Sequence, residues 1–267
     1  MSARATPPGI ELSAAWMLLD AEDRAPTVIG PDPIAPVAST GKVAILATLA
    51  VAVERGDIDP HQLLPIGPGH HVGGTGLLRA LSLREMSVQD LAVLTASVSD
   101  NIATNVLLER LGLAAVERFL ADAGIPELAV LDVVRDHRGA TVPPAFAVGS
   151  ARGLCTLAAA LGTAHGVTPT VRDVVFDWMR HNQDRAYVPD AFGAGCPGLE
   201  VVNKTGIDAG VLADTGLVLG GAADVAYAAV ARWSGDDDGG SQARAVSALR
   251  AFGADLHAVA SGRPPAD

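Results

Sequence analysis

Lysine is scarce in this sequence. Of the 19 basic residues, only Lys42 and Lys204 are lysines, and the other 17 are arginines. Arginine stays protonated in proteins, whereas a lysine in a dry environment can lose its proton and act as a base. The composition therefore indicates that both lysines have tasks that arginine cannot perform. The alternative is a biased composition with two leftover lysines, and the neighbours of each lysine decide between the two.

Cysteine, aromatic residues and positive charge are also scarce. Cys155 and Cys196 are too few for a disulfide framework and lack CxxC spacing, although one bridge between them stays open. Aromatic residues make up only 4%, so the core must consist of alanine, valine and leucine. The formal net charge is −11 and the arginines form no run. We therefore expect no general electrostatic attraction to nucleic acid or to an anionic membrane.

Long apolar runs are absent as well. No segment has eighteen uninterrupted apolar residues, which excludes a transmembrane helix. Residues 1–10 lack the apolar centre of a signal peptide and are predicted to be a flexible arm. We therefore expect a cytoplasmic protein, unless an export signal once preceded Met1.

Strand patterns occur at both ends of the chain and helix patterns occur between them. Strands are predicted at 12–20, 27–30, 199–204, 213–219 and 225–233, and helices at 43–53, 88–96, 102–111, 114–123, 145–161, 169–182 and 241–259. Strands from both termini should meet in one sheet, because an isolated hairpin is marginally stable. We predict an α+β fold in which residues 11–38 and 199–267 form an α/β subdomain. Residues 39–198 form an inserted all-α subdomain, and the two make a single structural unit.

The first candidate motif joins a hydroxyl and an amine. Ser39 and Lys42 are three residues apart, so they share a helix face, and the apolar run at 43–53 predicts that this helix is buried. Desolvation favours the neutral form of a lysine, which can then activate a serine hydroxyl. The alternative is a helix cap followed by a surface lysine, and the apolar run disfavours it.

Two further motifs are ambiguous when taken singly. Ser99-Asp100-Asn101 lies between two predicted helices, where all three residue types are good N-caps. Lys204-Thr205-Gly206 ends a predicted strand and could bind a carboxylate, or could simply be a turn.

Together, the three motifs resemble the signature of class A β-lactamases and penicillin-binding proteins. These enzymes carry S-x-x-K, S-D-N and K-T-G in this order. The separations are also similar, at 60 residues from Ser39 to Ser99 and 105 from Ser99 to Lys204. The resemblance extends from about Leu12 to the end of the chain. It implies the β-lactamase/transpeptidase-like fold, with an antiparallel sheet flanked by helices, and a small-molecule substrate without a metal ion or an organic cofactor.

The resemblance also implies catalytic roles. Ser39 would be the acylated nucleophile, and Lys42 would be its base or proton relay. Ser99 would pass a proton to the leaving nitrogen, and Lys204 would raise the local positive potential.

Other residues would bind the substrate. Asn101 would hold the substrate's amide, and Thr205, beside Gly206, would bind its carboxylate. The backbone N–H groups of Ser39 and Ile207 would form the oxyanion hole. Arg185 is a weak candidate for the basic residue often found near the carboxylate, and Asp214 stands where another class A arginine is expected.

The sequence departs from the family at the residue that completes the reaction. Aligning Leu131-Asp132 with the family's Leu-Asp pair places Arg135 at the glutamate that activates the deacylating water. An arginine cannot be that base, and Asp132, Asp136 and His137 fit better as a solvated loop than as substitutes. We therefore expect acylation to survive and deacylation to be slow or non-standard.

The resulting hypothesis is a β-lactamase-like serine hydrolase that acts on a β-lactam or a related amide or ester. One alternative is a D,D-peptidase or transpeptidase-like penicillin-interacting enzyme. The other is a binding protein that traps an acyl ligand without turnover. Members of the family usually begin with a helix that pairs with the closing helix, whereas only about ten residues precede the first predicted strand here. We therefore expect the closing helix to have an exposed face and the protein to be a monomer or a weak homodimer. His70-His71 lacks further ligands at metal-binding spacing, so no metal site is expected there.

Overall fold

The computed structural model of the chain describes residues 6–20, 25–193, 196, 198–234 and 240–263. Residues 1–5 of the predicted N-terminal arm lie outside the described residues. The strands within these ranges are β1 Glu11–Leu18, β2 Thr27–Ile29, β3 Ala35–Pro36, β4 Leu63–Pro65, β5 Glu85–Ser87, β6 Leu128–Val130, β7 Ala147–Gly149, β8 Glu200–Asp208, β9 Val211–Leu219 and β10 Val225–Arg232. The α-helices are α1 Lys42–Glu54, α2 Val88–Ser97, α3 Asn101–Leu111, α4 Leu113–Asp122, α5 Ala151–Thr163, α6 Pro169–Arg180 and α7 Ser241–Ala260.

Both ends of the chain contribute to one antiparallel sheet. Its strand order is β2-β1-β10-β9-β8, and Trp16 on β1 lies opposite Tyr227 on β10. The prediction that terminal strands meet in one antiparallel sheet is therefore confirmed. Helix α5 packs on one face of the sheet and α7 packs on the other. Strand β8 is an edge strand, because it is last in the strand order.

Helix α1 is the centre of the helical layer. All of its residues from Lys42 to Ala50 are buried, because its sequence is apolar on every side. It packs against α2, α3, α4 and α6. This burial places Lys42, at the start of α1, in the dry surroundings that the sequence predicts.

The predicted inserted segment contains more than helices. Strands β4 and β5 pair with each other, and β3, β7 and β6 form a second small sheet. Residues 57–76 are rich in glycine, proline and histidine, a composition that predicts a loop, and this prediction is wrong at β4. The helix predicted at 145–161 begins only at Ala151, because residues 147–149 pair as β7 and Ser150 caps α5 by accepting from the N–H of Gly153. The division into two subdomains stays a prediction.

The K-T-G motif lies inside a strand and not at its end. Strand β8 continues to Asp208 and turns through Gly210, which has a φ of 72°, into β9. Pairing with β9 extends β8 beyond its predicted end at 204.

Two expectations concern cysteine and the membrane. Cys155 and Cys196 are free thiols, so the bridge that the sequence left open is not formed. None of the helices in the described ranges is both long enough and apolar enough to span a bilayer.

Candidate active site

Ser39 lies on a short 3₁₀ turn, Ala38–Gly41, that leads directly into α1. Ala38 has a φ of 48°, a left-handed conformation that is uncommon for a residue with a side chain. Thr40 steadies the turn by donating its hydroxyl to the carbonyl of Val37 at 2.6 Å. Such conformations concentrate at functional sites. Here it presents Ser39 at the N-terminal end of a buried helix.

Lys42 is fully buried and makes three hydrogen bonds. Its Nζ donates to the carbonyl oxygen of Ser99 at 2.8 Å, to Ser99 Oγ at 3.1 Å and to Asn101 Oδ1 at 2.8 Å. Burial lowers the pKa of Lys42 well below its usual value, the charge of Lys204 lowers it further, and Asp100 opposes the shift. Three acceptors suit an ammonium, whereas burial favours the amine. These opposing influences suit a group that exchanges a proton.

Lys42 does not meet Ser39 in the way that the shared helix face predicts. Its three hydrogen-bond partners all belong to the S-D-N motif across the cleft. Ser99 itself has a φ of 55°. The structure therefore joins the first two motifs through Lys42, and Ser39 lines the cleft.

Asp100 has a structural task between Ser99 and Asn101. Its Oδ1 accepts from the N–H of Ala103 and caps α3, while Oδ2 accepts from the N–H groups of Leu77 and Leu78. The cap interpretation of the motif therefore holds for Asp100. Its neighbours on either side face Lys42.

A glycine-rich segment that sequence analysis missed, residues 73–76, closes one side of the site. Asn101 Nδ2 donates to the carbonyl of Gly73 at 2.9 Å, and Thr75 Oγ1 donates to the carbonyl of Ser99 at 2.7 Å. An amide nitrogen has two N–H groups, so Asn101 keeps a second donor. The Gly-Gly-Thr-Gly run was the available signal, because it permits close backbone approach.

Strand β8 forms the opposite wall. Lys204 is fully buried, and its Nζ donates to the carbonyl of Thr205 at 2.7 Å. Burial lowers the pKa of Lys204 to about 8, and Asp184 and Asp214 oppose that shift. A Cβ on Gly206 would lie 2.8 Å from the backbone nitrogen of Ser39. Glycine at this position is therefore what allows β8 to lie directly on the turn that carries Ser39.

Two cavities meet at Ser39. The Arg135 cavity, of about 450 Å³, is lined by Arg135, Asn101 and Asp208 among others. The Thr205 cavity, of about 250 Å³, is lined by Thr205, Ser99 and residues 182–184 among others. Ser39, Thr75 and Ile207 line both cavities. A bound molecule could thus extend to both sides of the serine.

The loop that carries Arg135 is fixed by ion pairs. Arg135 donates Nε and Nη2 to Asp132 at 2.6 and 2.9 Å, and Arg138 donates Nη1 to the same carboxylate at 2.9 Å. These hydrogen bonds, led by the one from Arg135, lower the pKa of Asp132. Asn105 on α3 also accepts from the N–H of Val134 and donates to its carbonyl. Arg135 is therefore held at the cavity that contains Ser39.

The other candidate residues have different surroundings. Asp136 Oδ1 accepts from the N–H of Gly73 at 2.7 Å, and His137 is exposed. Arg185 donates Nη1 to the carbonyl of Val201 at 2.9 Å and does not line either cavity described above. His70 pairs with Glu109, and no group of three potential metal-binding side chains occurs within the described ranges.

Comparison with known proteins decides the family. The sequence matches the β-lactamase enzyme family over residues 11–259. The chain belongs to this family. The β-lactamase fold agrees with solved structures: PBP-A has a TM-score of 0.82 at 24% identity, covering 96% of this chain and 91% of that chain. A β-lactamase from Sphaerobacter thermophilus has a TM-score of 0.82 at 21% identity, covering 96% and 94%.

Two other relatives of this family member bear on function. A mutant of PBP-A, solved as an acyl-enzyme complex with penicillin G, is 25% identical with a TM-score of 0.80, covering 95% of this chain and 91% of that chain. The β-lactamase regulatory protein BlaB of Streptomyces cacaoi is 32% identical over 110 residues, which is 40% of this chain. The match spans only 35% of the length of BlaB.

Proposed function

We propose that this protein is a serine hydrolase of the class A β-lactamase type that forms an acyl-enzyme on Ser39. The observation that carries the proposal is the buried Lys42, whose amine bonds both Ser99 and Asn101 beside the cavities that Ser39 lines. The substrate is a β-lactam or a related amide or ester.

Acylation uses Ser39, Lys42 and Ser99 together. Lys42 takes the proton of Ser39, directly or through Ser99, and Ser39 Oγ attacks the carbonyl carbon. The N–H groups of Ser39 and Ile207 stabilise the oxyanion. The proton then passes through Ser99 to the leaving nitrogen as the amide bond breaks.

The substrate is held from both cavities. In the Thr205 cavity, Thr205 binds the carboxylate and the nearby Lys204 supplies positive potential. On the other side, the second N–H of Asn101 binds the amide of the acyl group. Arg185 can act on the substrate carboxylate only through its charge and from a distance, because its Nη1 donates to the carbonyl of Val201.

Deacylation is the slow half of the reaction. Arg135 occupies the position of the family's glutamate, and its guanidinium cannot remove a proton from water at neutral pH. Asp132 is bonded by two arginines, and Asp136, which is adjacent to Arg135, accepts from the N–H of Gly73. The acyl-enzyme therefore accumulates.

Two alternatives have specific support. The structural similarity to PBP-A and the missing glutamate favour a D,D-peptidase or transpeptidase-like enzyme. The partial match to the regulatory protein BlaB favours a binding protein that keeps its acyl ligand. The cytoplasmic location and the monomeric or weakly dimeric state stay predictions.

One experiment distinguishes these functions. The protein is incubated with a fluorescent penicillin, a chromogenic cephalosporin and a D-alanyl-D-alanine peptide, and turnover and intact mass are followed together. We expect a stable penicillin adduct that is lost in Ser39→Ala and retained in the matched control Ser82→Ala, an exposed serine outside the site. Release of D-alanine would favour the peptidase. A folded protein that forms no adduct would refute the β-lactam part of the proposal.

A further inference from the structure

A chain of buried polar side chains crosses the sheet behind Lys204. Asp214 on β9 accepts two hydrogen bonds at Oδ1, from Asn203 Nδ2 at 3.0 Å and from the Tyr227 hydroxyl at 3.0 Å. Its Oδ2 accepts from the N–H of Val188 at 3.2 Å. Asp214, Asn203 and Tyr227 are fully buried. A carboxylate in this position is costly, because several kilocalories of hydration are lost.

The chain of side chains continues to the wall of the Thr205 cavity. Asn203 Oδ1 accepts from Asn182 Nδ2 at 3.0 Å. Asn182 also donates to the carbonyl of Asp184 at 3.1 Å and accepts from its N–H at 3.2 Å. Because Asn182, Gln183 and Asp184 line the cavity, the buried network ends at the substrate side of β8.

The sheet leaves room for this network. Gly216 lies opposite Asn203 across β8 and β9. A Cβ on Gly216 would lie 2.1 Å from the carbonyl oxygen of Val202 and 3.0 Å from Asn203 Cβ. Any larger residue would push Asn203 away from Asp214, so the strand geometry and the side-chain network depend on each other.

We propose that Asp214 is a positioning residue of the Thr205 cavity. Asp214 acts through Asn203 and Asn182 to fix residues 182–184, which form one wall of that cavity. It also supplies a buried negative charge behind Lys204. The wall and the charge serve one purpose, because both set how a substrate carboxylate meets Thr205 and Lys204. The effect on acylation rests on the proposed function, whereas the effect on the wall does not.

The electrostatics support this assignment. The charges of Asp184 and Asp214 raise the pKa of Lys204 against the larger effect of burial. Burial raises the pKa of Asp214 to about 7, while its three hydrogen bonds favour the carboxylate. Besides Lys204 on β8 and Tyr227 on β10, the titratable groups facing Asp214 are Asp184 and Tyr187 in the preceding loop.

The test compares three variants that each remove one feature of the network. Asp214→Asn removes the charge with little change of shape, and Asn182→Ala breaks the network at the wall without touching the sheet. Tyr227→Phe is the matched control, because it deletes a hydrogen bond of the same 3.0 Å length to the same oxygen but has no link to the wall. Hydrogen exchange of the 182–188 peptide is measured by mass spectrometry at pH 7.5.

We expect the exchange rate of this peptide to rise by tenfold or more in Asn182→Ala and Asp214→Asn. In Tyr227→Phe the rate should rise by less than threefold. Acylation by a fluorescent penicillin should slow by about tenfold in the first two variants. Acylation by the corresponding penicillin ester, which lacks the carboxylate, should change little, and a merely structural defect would slow both.

Distinct outcomes contradict the two proposals. Equal exchange in all three variants, or unchanged exchange in Asn182→Ala, would overturn the positioning role. Equal slowing of the acid and the ester would overturn the link to the carboxylate. If the wild-type protein formed no acyl-enzyme, the proposed function would fail and the exchange result alone would decide the role of Asp214.

Discussion

The close packing of Gly206 on the turn that carries Ser39 yields a quantitative prediction. In Gly206→Ala, the new Cβ would lie 2.8 Å from the nitrogen of Ser39, 2.9 Å from that of Thr40 and 3.0 Å from the carbonyl oxygen of Val37. All three are backbone atoms, so no side chain can rotate away. The strand and the turn must separate by about half an ångström to restore ordinary contact.

This separation affects the proposed oxyanion hole directly. One of its N–H donors belongs to Ser39 and the other to Ile207, the residue after Gly206. A misplacement of about 1 Å can reduce catalysis by roughly 100-fold, so half an ångström should slow acylation by about tenfold or more. Overpacking of this kind costs about 1–3 kcal/mol, which lowers the melting temperature by roughly 2–12 °C in a chain of this size.

The assay measures the acylation rate with a fluorescent penicillin in a stopped-flow instrument, together with thermal unfolding. The control is Gly69→Ala, because a Cβ there meets no atom within 4 Å and the glycine is not in the left-handed region. We expect Gly69→Ala to match the wild type in both measurements. A folded Gly206→Ala protein that is acylated within twofold of the wild-type rate would refute the reasoning.

Three further predictions concern the site and the fold. Lys42→Arg should slow acylation of Ser39 by at least about 1,000-fold in adduct mass measurements, because arginine cannot give up its proton; a rate near that of the wild type would exclude Lys42 as the base. Burial raises the pKa of Asp214 from 3.8 to about 7, so the folded chain holds the extra proton between these values and loses stability as the pH rises. The free energy of unfolding in urea of Asp214→Asn, minus that of the wild type, should therefore rise by up to roughly 4 kcal/mol from pH 4 to pH 8. A difference that does not change with pH would contradict this. Ser87→Ala removes the bond from the N–H of Asp90 that caps α2 and should cost about 1 kcal/mol in the same assay without changing acylation.

The sequence predicts the long elements and the motif residues because their signals are local. The apolar run of α1 and the strands at both termini carry periodic or continuous patterns, and these elements form as predicted. Strands β4 to β7 have three residues each and are defined by their partners, so no local pattern could reveal them. The start of α5 is likewise decided by the pairing of β7.

The geometry of the candidate site follows from tertiary packing. The spacing of Ser39 and Lys42 predicts a direct approach, whereas Lys42 bonds Ser99 and Asn101, which come from another helix junction. Asn182 lines the Thr205 cavity without any motif around it, and the only local signal for Thr75 is the Gly-Gly-Thr-Gly run. Their positions depend on the loops that Asp100 and Asn203 hold, and such long-range bonds leave no periodic trace in a sequence.

The carboxylate of Asp132 pairs with both Arg135 and Arg138, and this arrangement affects how the chemistry of the site could change. Arg135 anchors its loop at the position that the sequence alignment gives to the family's glutamate, the residue that would activate the hydrolytic water in the proposed function. Introducing that glutamate would remove one ion pair and place a second carboxylate near Asp132, which would keep only Arg138 of its two arginine partners. A gain of turnover would therefore compete with order in the loop that must hold the water. Because that alignment gives the family an aspartate at the position of Asp132 together with the glutamate, turnover would depend on how well the loop stays ordered once Arg135 no longer pairs with Asp132.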